Sequence, residues 1–257
     1  MYFKLVYNHK FFSFLAQLNV TSKLQRRIFR MIAFLLKYKL FQIPLLLVER
    51  LLALIIILPI PIYANLLYIF IKSATGYLGY YIRSIYYSVK AKKWGGNVII
   101  DEDVILGNVK NYEFGEFSMI DKKVIICADS IKIGTGCHIA MGTIISKGGD
   151  VILEDFSAVS YGSILVAATD NTNGGFRIGP MVPEYQRNVL KGKIVLEKDS
   201  LVASNVVVLP NTVIGEGTVI SPNSVINKSI KSWKIRLLDV RKVYFEREKI
   251  KFPDPEY

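Results

Sequence analysis

The chain contains two histidines, His9 and His138, and only His138 lies among regularly spaced aliphatic residues. Histidine titrates near neutrality, so a neutral imidazole can take a proton from a nucleophile. His138 directly precedes Ile139, and successive side chains of a strand point to opposite faces. If Ile139 points into a core, His138 points outward, where a substrate can bind. His138 is therefore the candidate general base; the alternative is a surface or subunit-packing histidine.

Asp170 is the second candidate catalytic residue, at the start of a polar stretch that contains Asn171. Its carboxylate is suited to hold the tautomer of an imidazole or to bind substrate hydroxyls. The run Asp-Asn-Thr-Asn is also favourable turn chemistry, so both interpretations remain open. Cys127 and Cys137 give neither a disulfide framework nor a metal-site spacing, and no metal is expected.

Aliphatic residues recur every six positions in the second part of the chain. This period fits neither a helix nor an alternating strand. It fits a parallel β-helix, in which each unit is one short strand plus a turn and about 18 residues complete a triangular coil. Leu196 should then stack on Ile214, and Val202 on Ile220. The strictest run comprises Leu196, Val202, Val208, Ile214, Ile220 and Ile226.

The six-residue spacing is interrupted at two places. The first is a short excess at Lys147–Asp150, and the second is a long excursion, 167–192. A long loop that leaves a regular scaffold is usually functional or disordered. We therefore expect residues 97–230 to form the β-helix domain, with loop 167–192 projecting from it.

Charge is distributed unevenly along the chain. Residues 1–96 carry a formal charge of +13 and one acid, Glu49, whereas the rest carries −1. A basic module suits an anionic surface, either nucleic acid or anionic lipid. The stretch from Leu51 to Ile71 is uncharged, and roughly 20 apolar residues span a bilayer core. This run favours a membrane and argues against a nucleic-acid partner.

The apolar segment at about 45–71 contains Pro59 and Pro61, which should break a helix. A kinked span and a re-entrant hairpin both remain open; basic residues on both sides favour the hairpin, with both flanks in the cytoplasm. Residues 1–40 suggest a basic amphipathic helix, at an interface or packed on the β domain. The tyrosine-rich stretch at about 76–93 suggests an interfacial helix. The apolar segment at about 45–71, with its proline break, resembles the re-entrant membrane helix of monotopic phosphoglycosyl transferases.

Several short motifs lie within residues 97–245. They are His138-Ile139-Ala140, Gly148-Gly149, Asp155-Phe156-Ser157, Thr169-Asp170, Met181-Val182-Pro183 with Tyr185 and Asn188-Val189, Gly215-Glu216-Gly217, and Trp233 with Ile235 and Lys242. In these motifs the chain resembles the hexapeptide-repeat O-acetyltransferases that modify sugars of surface polysaccharides. The resemblance implies a mainly β, left-handed parallel β-helix. We expect a helical membrane-associated region, 1–96, before it and a short C-terminal helix with a tail, 231–257, after it.

The resemblance also implies a reaction and an assembly. Acetyl-coenzyme A would be the donor, a sugar hydroxyl the acceptor, and a homotrimer the assembly, with active sites between neighbouring subunits. The acceptor is expected to be lipid-linked, and the location is the cytoplasmic face of the inner membrane, monotopic or single-span. N-acetylation of an amino sugar and a non-catalytic β-helix scaffold are the alternatives.

The same resemblance suggests binding residues. Asn171, Tyr185 and Asn188 are candidates for acceptor binding. Backbone groups near Ala203 and Ser221 would contact the pantetheine arm of coenzyme A. Its phosphates would pair with the basic side chains of Arg241 and Lys242.

Overall fold

The computed structural model describes residues 7–15, 23–57, 61–237, 244–247 and 249. Its N-terminal part is helical, and strands follow from Lys93 onward. The helices are α1 (His9–Leu15), α2 (Lys23–Leu35), α3 (Lys39–Ile57), α4 (Pro61–Ser73) and α5 (Gly76–Lys90).

Short parallel strands form a triangular solenoid with one sheet on each side. Sheet 1 contains β1 (Lys93–Trp94), β4 (Tyr112–Phe114), β7 (Ser130–Ile133), β10 (Asp150–Leu153), β15 (Lys193–Leu196) and β18 (Thr212–Ile214). Sheet 2 contains β2 (Ile99–Ile100), β5 (Met119–Ile120), β8 (His138–Ile139), β11 (Ala158–Val159), β16 (Leu201–Val202), β19 (Val219–Ile220), β21 (Lys234–Arg236) and β22 (Tyr244–Glu246). Sheet 3 contains β3 (Ile105–Leu106), β6 (Ile125–Ile126), β9 (Ile144–Ile145), β12 (Ile164–Leu165), β17 (Val207–Val208) and β20 (Val225–Ile226).

The six-residue spacing corresponds to the inward-facing positions of these strands. Leu196 pairs with Ile214 and Val202 with Ile220, which confirms the predicted stacking. No single repeat can bury its aliphatic residue alone, so each coil depends on its neighbours. The left-handed sense is consistent with this repeat. The fully buried members of the strict run are Leu196, Val202, Val208, Ile214, Ile220 and Ile226.

The long excursion leaves the solenoid at the corner between sheets 3 and 1. Its base is an antiparallel hairpin of β13 (Ala168–Asp170) and β14 (Val189–Lys191). The corner between sheets 3 and 1 is opposite sheet 2, because each coil passes through sheets 1, 2 and 3 in turn. Within one chain, the hairpin therefore projects away from the outer face of sheet 2.

The helical part covers the first coil of the solenoid. Arg83 of α5 is buried, and its guanidinium donates to the carbonyl oxygens of Ile100 at 2.8 Å and Ile71 at 3.2 Å. The Tyr7 hydroxyl lies 2.6 Å from Ser84 Oγ and 3.0 Å from the Val98 carbonyl oxygen. Buried carbonyl groups require hydrogen-bond donors. The Arg83 and Tyr7 side chains supply these donors and thereby join the N-terminal segment, α4 and α5 to the first coil at β2.

α5 differs from the predicted interfacial helix in the environment of its tyrosines. Tyr86 and Tyr87 are buried in the solenoid core with Val98 and Ile100, whereas Tyr77 is exposed. An amphipathic ring suits the end of a core as well as a headgroup layer. Here the open first coil needs a cover, and these tyrosines provide it.

The predicted hairpin at 45–71 corresponds to α3 and α4, and the helix resumes at Pro61. Pro59 lies outside the described residues. Among the described helices, none is both long and apolar enough to cross a bilayer alone. One bent pair reaches that length and composition together, and it is α2 with α3, joined at an angle of 99°. This pair shares α3 with the predicted hairpin, and its other member is α2 rather than α4.

The short C-terminal helix predicted within 231–257 is wrong for the described part of that segment. Lys234–Arg236 forms β21, which continues sheet 2 beside β19, and Tyr244–Glu246 forms β22 antiparallel to it. Ile235 pairs with Val219 and Phe245, so the solenoid provides an edge that an extended segment can join. An available sheet edge outweighs the weak helical tendency of a short segment.

Candidate active site

His138 lies on the outward face of sheet 2, as the alternation along β8 predicts. Its side chain is 43% exposed, whereas the neighbouring Ile139 is fully buried. β8 lies between β5 and β11, and His138 is level with Met119 and Ala158 on those strands. The imidazole thus stands in a shallow, largely apolar row, accessible to a ligand on one side.

Asp121, on the preceding coil, is the acidic neighbour of His138. Its Oδ1 lies 3.1 Å from His138 Nε2, and its side chain is 15% exposed. Both atoms are shielded from solvent, but neither has a partner in hydrogen-bond geometry. The contact is therefore electrostatic in this arrangement, and a hydrogen bond requires a rotation of the imidazole ring.

This pair defines which imidazole nitrogen is available for chemistry. The negative charge of an ionised carboxylate 3.1 Å away favours the tautomer with its proton on Nε2, and a rotation of the ring would turn this contact into a hydrogen bond that the carboxylate accepts. Nδ1 then carries the free lone pair and can accept a proton from a nucleophile. When the ring becomes positive, Asp121 stabilises it by charge. Together, the two residues have the chemistry of a general base and its positioning acid.

Asp170 does not accompany His138 within one chain. Its carboxylate accepts from the Gly179 amide at 2.9 Å and from Arg187 Nε and Nη2 at 3.1 and 2.6 Å. The Gly179 hydrogen bond, followed by the contacts with Arg187, holds the pKa of Asp170 below its usual value. Asp170 therefore organises the excursion, in line with the turn interpretation.

Two of the candidate acceptor-binding residues, Asn171 and Asn188, lie together near the base of the excursion, whereas Tyr185 lies farther out. The Asn171 amide donates to the Asn188 carbonyl oxygen at 2.7 Å, and Asn171 Oδ1 accepts from the Asn173 amide at 2.9 Å. Tyr185 is largely exposed and lines an open groove of about 610 Å³ with Phe176 and Arg177. The groove presents aromatic and cationic groups suited to a polar ligand.

Ala203 and Ser221 lie one above the other on the corner between sheets 2 and 3. Their backbone amides donate within the solenoid, to the carbonyl oxygens of Ile220 and Arg236. Donation of these two amides to a ligand is therefore precluded in this structure, and contact through carbonyl or side-chain groups remains a prediction. They lie two and three coils beyond His138, about 10 and 14 Å along the axis at the usual strand spacing. Arg241 and Lys242 lie outside the described residues.

Asp121 and Arg187 are the residues that sequence reasoning missed. Asp121 stands seventeen positions before His138, just less than one coil. The coil repeat was the available signal, because residues one coil apart become neighbours. Arg187 had no comparable signal. In the described part of the chain, no cluster of three or more His, Cys, Asp or Glu residues is arranged to hold a metal.

Residues 193–228 match the family described as bacterial transferase hexapeptide (six repeats). The chain is also similar to a dTDP-4-amino-4,6-dideoxy-D-glucose acyltransferase from Escherichia coli, at 25% identity over 121 residues. That similarity covers 46% of this chain and 63% of the relative, so the chain matches less than two thirds of the relative's length.

Solved structures show the same architecture. AntD, an N-acyltransferase from Bacillus cereus in complex with dTDP and 3-hydroxybutyryl-CoA, superposes with a TM-score of 0.59 at 28% identity. The match covers 63% of this chain and 86% of AntD. A hexapeptide-repeat acetyltransferase from Vibrio cholerae shares the fold, with a TM-score of 0.50 at 14% identity over 73% of this chain and 90% of its own. The chain therefore has the hexapeptide-repeat β-solenoid found in sugar acyltransferases.

Proposed function

We propose that this protein is a coenzyme A-dependent acyltransferase that acylates a sugar, with the amino group of a nucleotide-linked sugar as the favoured acceptor. The contact between His138 and Asp121 on the open face of sheet 2 carries the proposal. It supplies a base with its positioning acid on the type of solenoid used by sugar acyltransferases. The amino acceptor is supported by the names of AntD and the Escherichia coli relative.

The reaction needs few groups from the protein. The sugar amine attacks the thioester carbonyl carbon, the carbon–sulfur bond breaks, and the amine loses a proton to His138 Nδ1. The departing thiolate takes up a proton, so the products are an amide and free coenzyme A. Asp121 stabilises the imidazolium while it carries the transferred proton.

O-acetylation of a lipid-linked or surface-polysaccharide sugar is the second candidate. The exposed apolar side chains of α2 and α3 favour it, because an enzyme held at a membrane meets an acceptor anchored in the same layer. The same dyad would serve, and a hydroxyl depends more strongly on a base than an amine does. In this setting the enzyme would act at the cytoplasmic face of the inner membrane.

A homotrimer is part of the proposal, and two outer faces of the solenoid support it. Sheet 3 presents an unbroken aliphatic ladder, and sheet 2 presents a mostly apolar row that includes His138. Packing sheet 2 of one copy against sheet 3 of the next would cover much of both apolar rows and close a threefold ring, with the ligand cleft that His138 faces at the margin of this contact. The ladder of sheet 3 consists of Ile105, Ile125, Ile144, Ile164, Val207 and Val225.

Acyl transfer can be tested with the purified full chain. The acyl donors are acetyl-CoA and 3-hydroxybutyryl-CoA, and the acceptors are a dTDP-linked 4-amino sugar and its 4-hydroxy counterpart, with release of the coenzyme A thiol as readout. We expect the amino sugar to react faster, and His138→Ala to lower kcat by about 100-fold or more.

His9→Ala removes the other histidine and should leave the rate unchanged. Full activity of His138→Ala would exclude the histidine as base. No transfer to any acceptor, together with no thermal shift on adding acyl-CoA, would instead favour the non-catalytic scaffold.

A further inference from the structure

The burial pattern of α3 is the reverse of that expected for a helix packed on a water-soluble domain: its acidic residue is buried and many of its apolar residues are exposed. Its acid Glu49 is buried and accepts a hydrogen bond from the Tyr81 hydroxyl of α5 at 3.0 Å. Its apolar residues at a helical spacing of three and four face outward instead. These are Leu40, Ile43, Leu47, Leu51 and Leu54, whose exposed fractions lie between 56% and 75%.

α2 also exposes apolar side chains, and its Phe34 ring contacts the Tyr38 ring just before α3, with the ring centroids 5.5 Å apart. Phe29 and Ala33 are buried, whereas Met31 and Phe34 are more than half exposed. Tyr38, between the two helices, is also more than half exposed. We name the exposed side chains Met31, Phe34, Tyr38, Leu40, Ile43, Leu47, Leu51 and Leu54 the apolar helix face. Large contiguous apolar surfaces are uncommon on soluble monomers and indicate a binding surface.

Exposed basic residues accompany the apolar helix face. Arg27 and Arg30 of α2 lie one turn before Met31 and Phe34 on the same side of the helix, and Lys37 and Lys39 flank Tyr38. Basic side chains that border an apolar surface are typical of helices that lie in a membrane interface, where they attract anionic lipid. The arginine guanidinium can reach the phosphate layer while its aliphatic stem stays against the apolar layer.

We propose that the apolar helix face binds a bilayer containing anionic phospholipid, with α2 and α3 lying in the interface rather than crossing it. The 99° bend between these helices allows both to lie along the bilayer surface. A second copy of the chain is a poorer occupant. Two such surfaces would bring like charges together, because Glu49, the sole acid of residues 1–96, is buried.

Flotation of the full chain with vesicles tests the proposal. We expect binding to vesicles of phosphatidylcholine with phosphatidylglycerol and weaker binding to phosphatidylcholine alone, with the difference reduced at high salt. Leu47→Gln/Leu51→Gln should lower the partition coefficient about tenfold or more. Arg27→Gln/Arg30→Gln should remove most of the preference for phosphatidylglycerol. Each arginine replaced should lower the partition coefficient onto these vesicles about fivefold.

Matched controls exclude general effects of the substitutions. Ile178→Gln/Met181→Gln replaces two exposed apolar residues of the excursion, and Lys110→Gln/Lys122→Gln removes two exposed charges of the solenoid. Both should bind vesicles like the wild type. Unchanged thermal midpoints would show that the helix variants remain folded, since the replaced leucines are exposed.

Two results would overturn the proposal. One is equal vesicle binding by the wild type and both helix variants. The other is a helix variant that converts a larger assembly to a smaller one in sedimentation without a change in vesicle binding, which would assign the apolar helix face to a second copy. Neither result depends on acyl transfer, so the proposed reaction can fail independently.

Discussion

His138 owes its environment to two successive coils rather than to its own strand. The strand turns the imidazole outward, and the coil before it places Asp121 against Nε2 at 3.1 Å. A carboxylate in this position orients the ring and stabilises its positive form. Asp121 acts through the imidazole, by its orientation and its charge, because His138 is the more exposed member of the pair.

Asp121→Asn should lower kcat by about tenfold to 100-fold and leave KM for acyl-CoA nearly unchanged. The amide keeps the shape of the side chain but loses the charge, so the Nε2–H tautomer is no longer favoured. Steady-state kinetics measure the rate, and ¹⁵N chemical shifts of the imidazole measure the tautomer. Asp150→Asn, on sheet 1, is the matched control and should change neither. An unaltered tautomer with normal kcat would remove Asp121 from the site.

The sequence predicts the orientation of His138 but not its acidic partner. Orientation follows from alternation beside Ile139, which is a local property. Which residue becomes the neighbour of His138 depends on the exact number of residues in the coil. Met119 and His138 pair although they are nineteen positions apart rather than the ideal eighteen. One residue of uncertainty in that offset changes the face on which a neighbouring side chain lies.

The excursion is a folded hairpin whose geometry depends on one carboxylate. Asp170 joins β13 to Gly179 and to Arg187, so it ties three points of the excursion together. Large exposed side chains such as Met181 and Tyr185 lie beyond this junction. Such a hairpin can present groups to a ligand or a neighbouring subunit without contributing to the solenoid core.

The order of this excursion should depend on the charge of Asp170. Its pKa is lowered in the folded state, so its stabilising effect is present above the ordinary value of 3.8 and is lost as pH falls through the lower folded value. We expect the amides of residues 171–188 to lose protection below about pH 4, relative to the intrinsic exchange rate at each pH, before the solenoid strands do. Asp170→Asn should show the fast exchange at neutral pH, whereas Glu184→Gln should not. Slow exchange at Gly179 in Asp170→Asn would contradict this role.

Elements were predictable where period and burial agreed. The aliphatic positions of the solenoid can satisfy their spacing in one way, because each must face the core. The helical and terminal parts lack this constraint. Tyr86 and Tyr87 are equally suited to a lipid headgroup layer and to covering the end of a core. The segment around Ile235 forms a strand because β19 offers a free sheet edge with which it can pair. Tertiary contacts therefore decided what local sequence left open.

At the scale of the whole molecule, the triangular section separates the two halves of the candidate site. His138 is on sheet 2, and the excursion leaves at the opposite corner. When sheet 2 of one copy packs on sheet 3 of the next, the excursion of the second copy lies beside the outer edge of sheet 2 on the first. The proposed threefold assembly thus brings together groups that a single chain keeps apart.

Mixed assemblies provide the sharpest test of this arrangement. His138→Ala and Arg187→Ala should each be inactive as pure proteins, the first by loss of the base and the second by loss of order in the excursion. In a co-expressed equal mixture, about one quarter of the interfaces pair an intact histidine with an intact excursion. Activity should therefore return to about one quarter of the wild-type value. If His138 and the excursion of the same chain acted together, no interface in the mixture would be intact and activity would stay at the level of the separate variants. Activity in a monomeric fraction would likewise contradict a shared site.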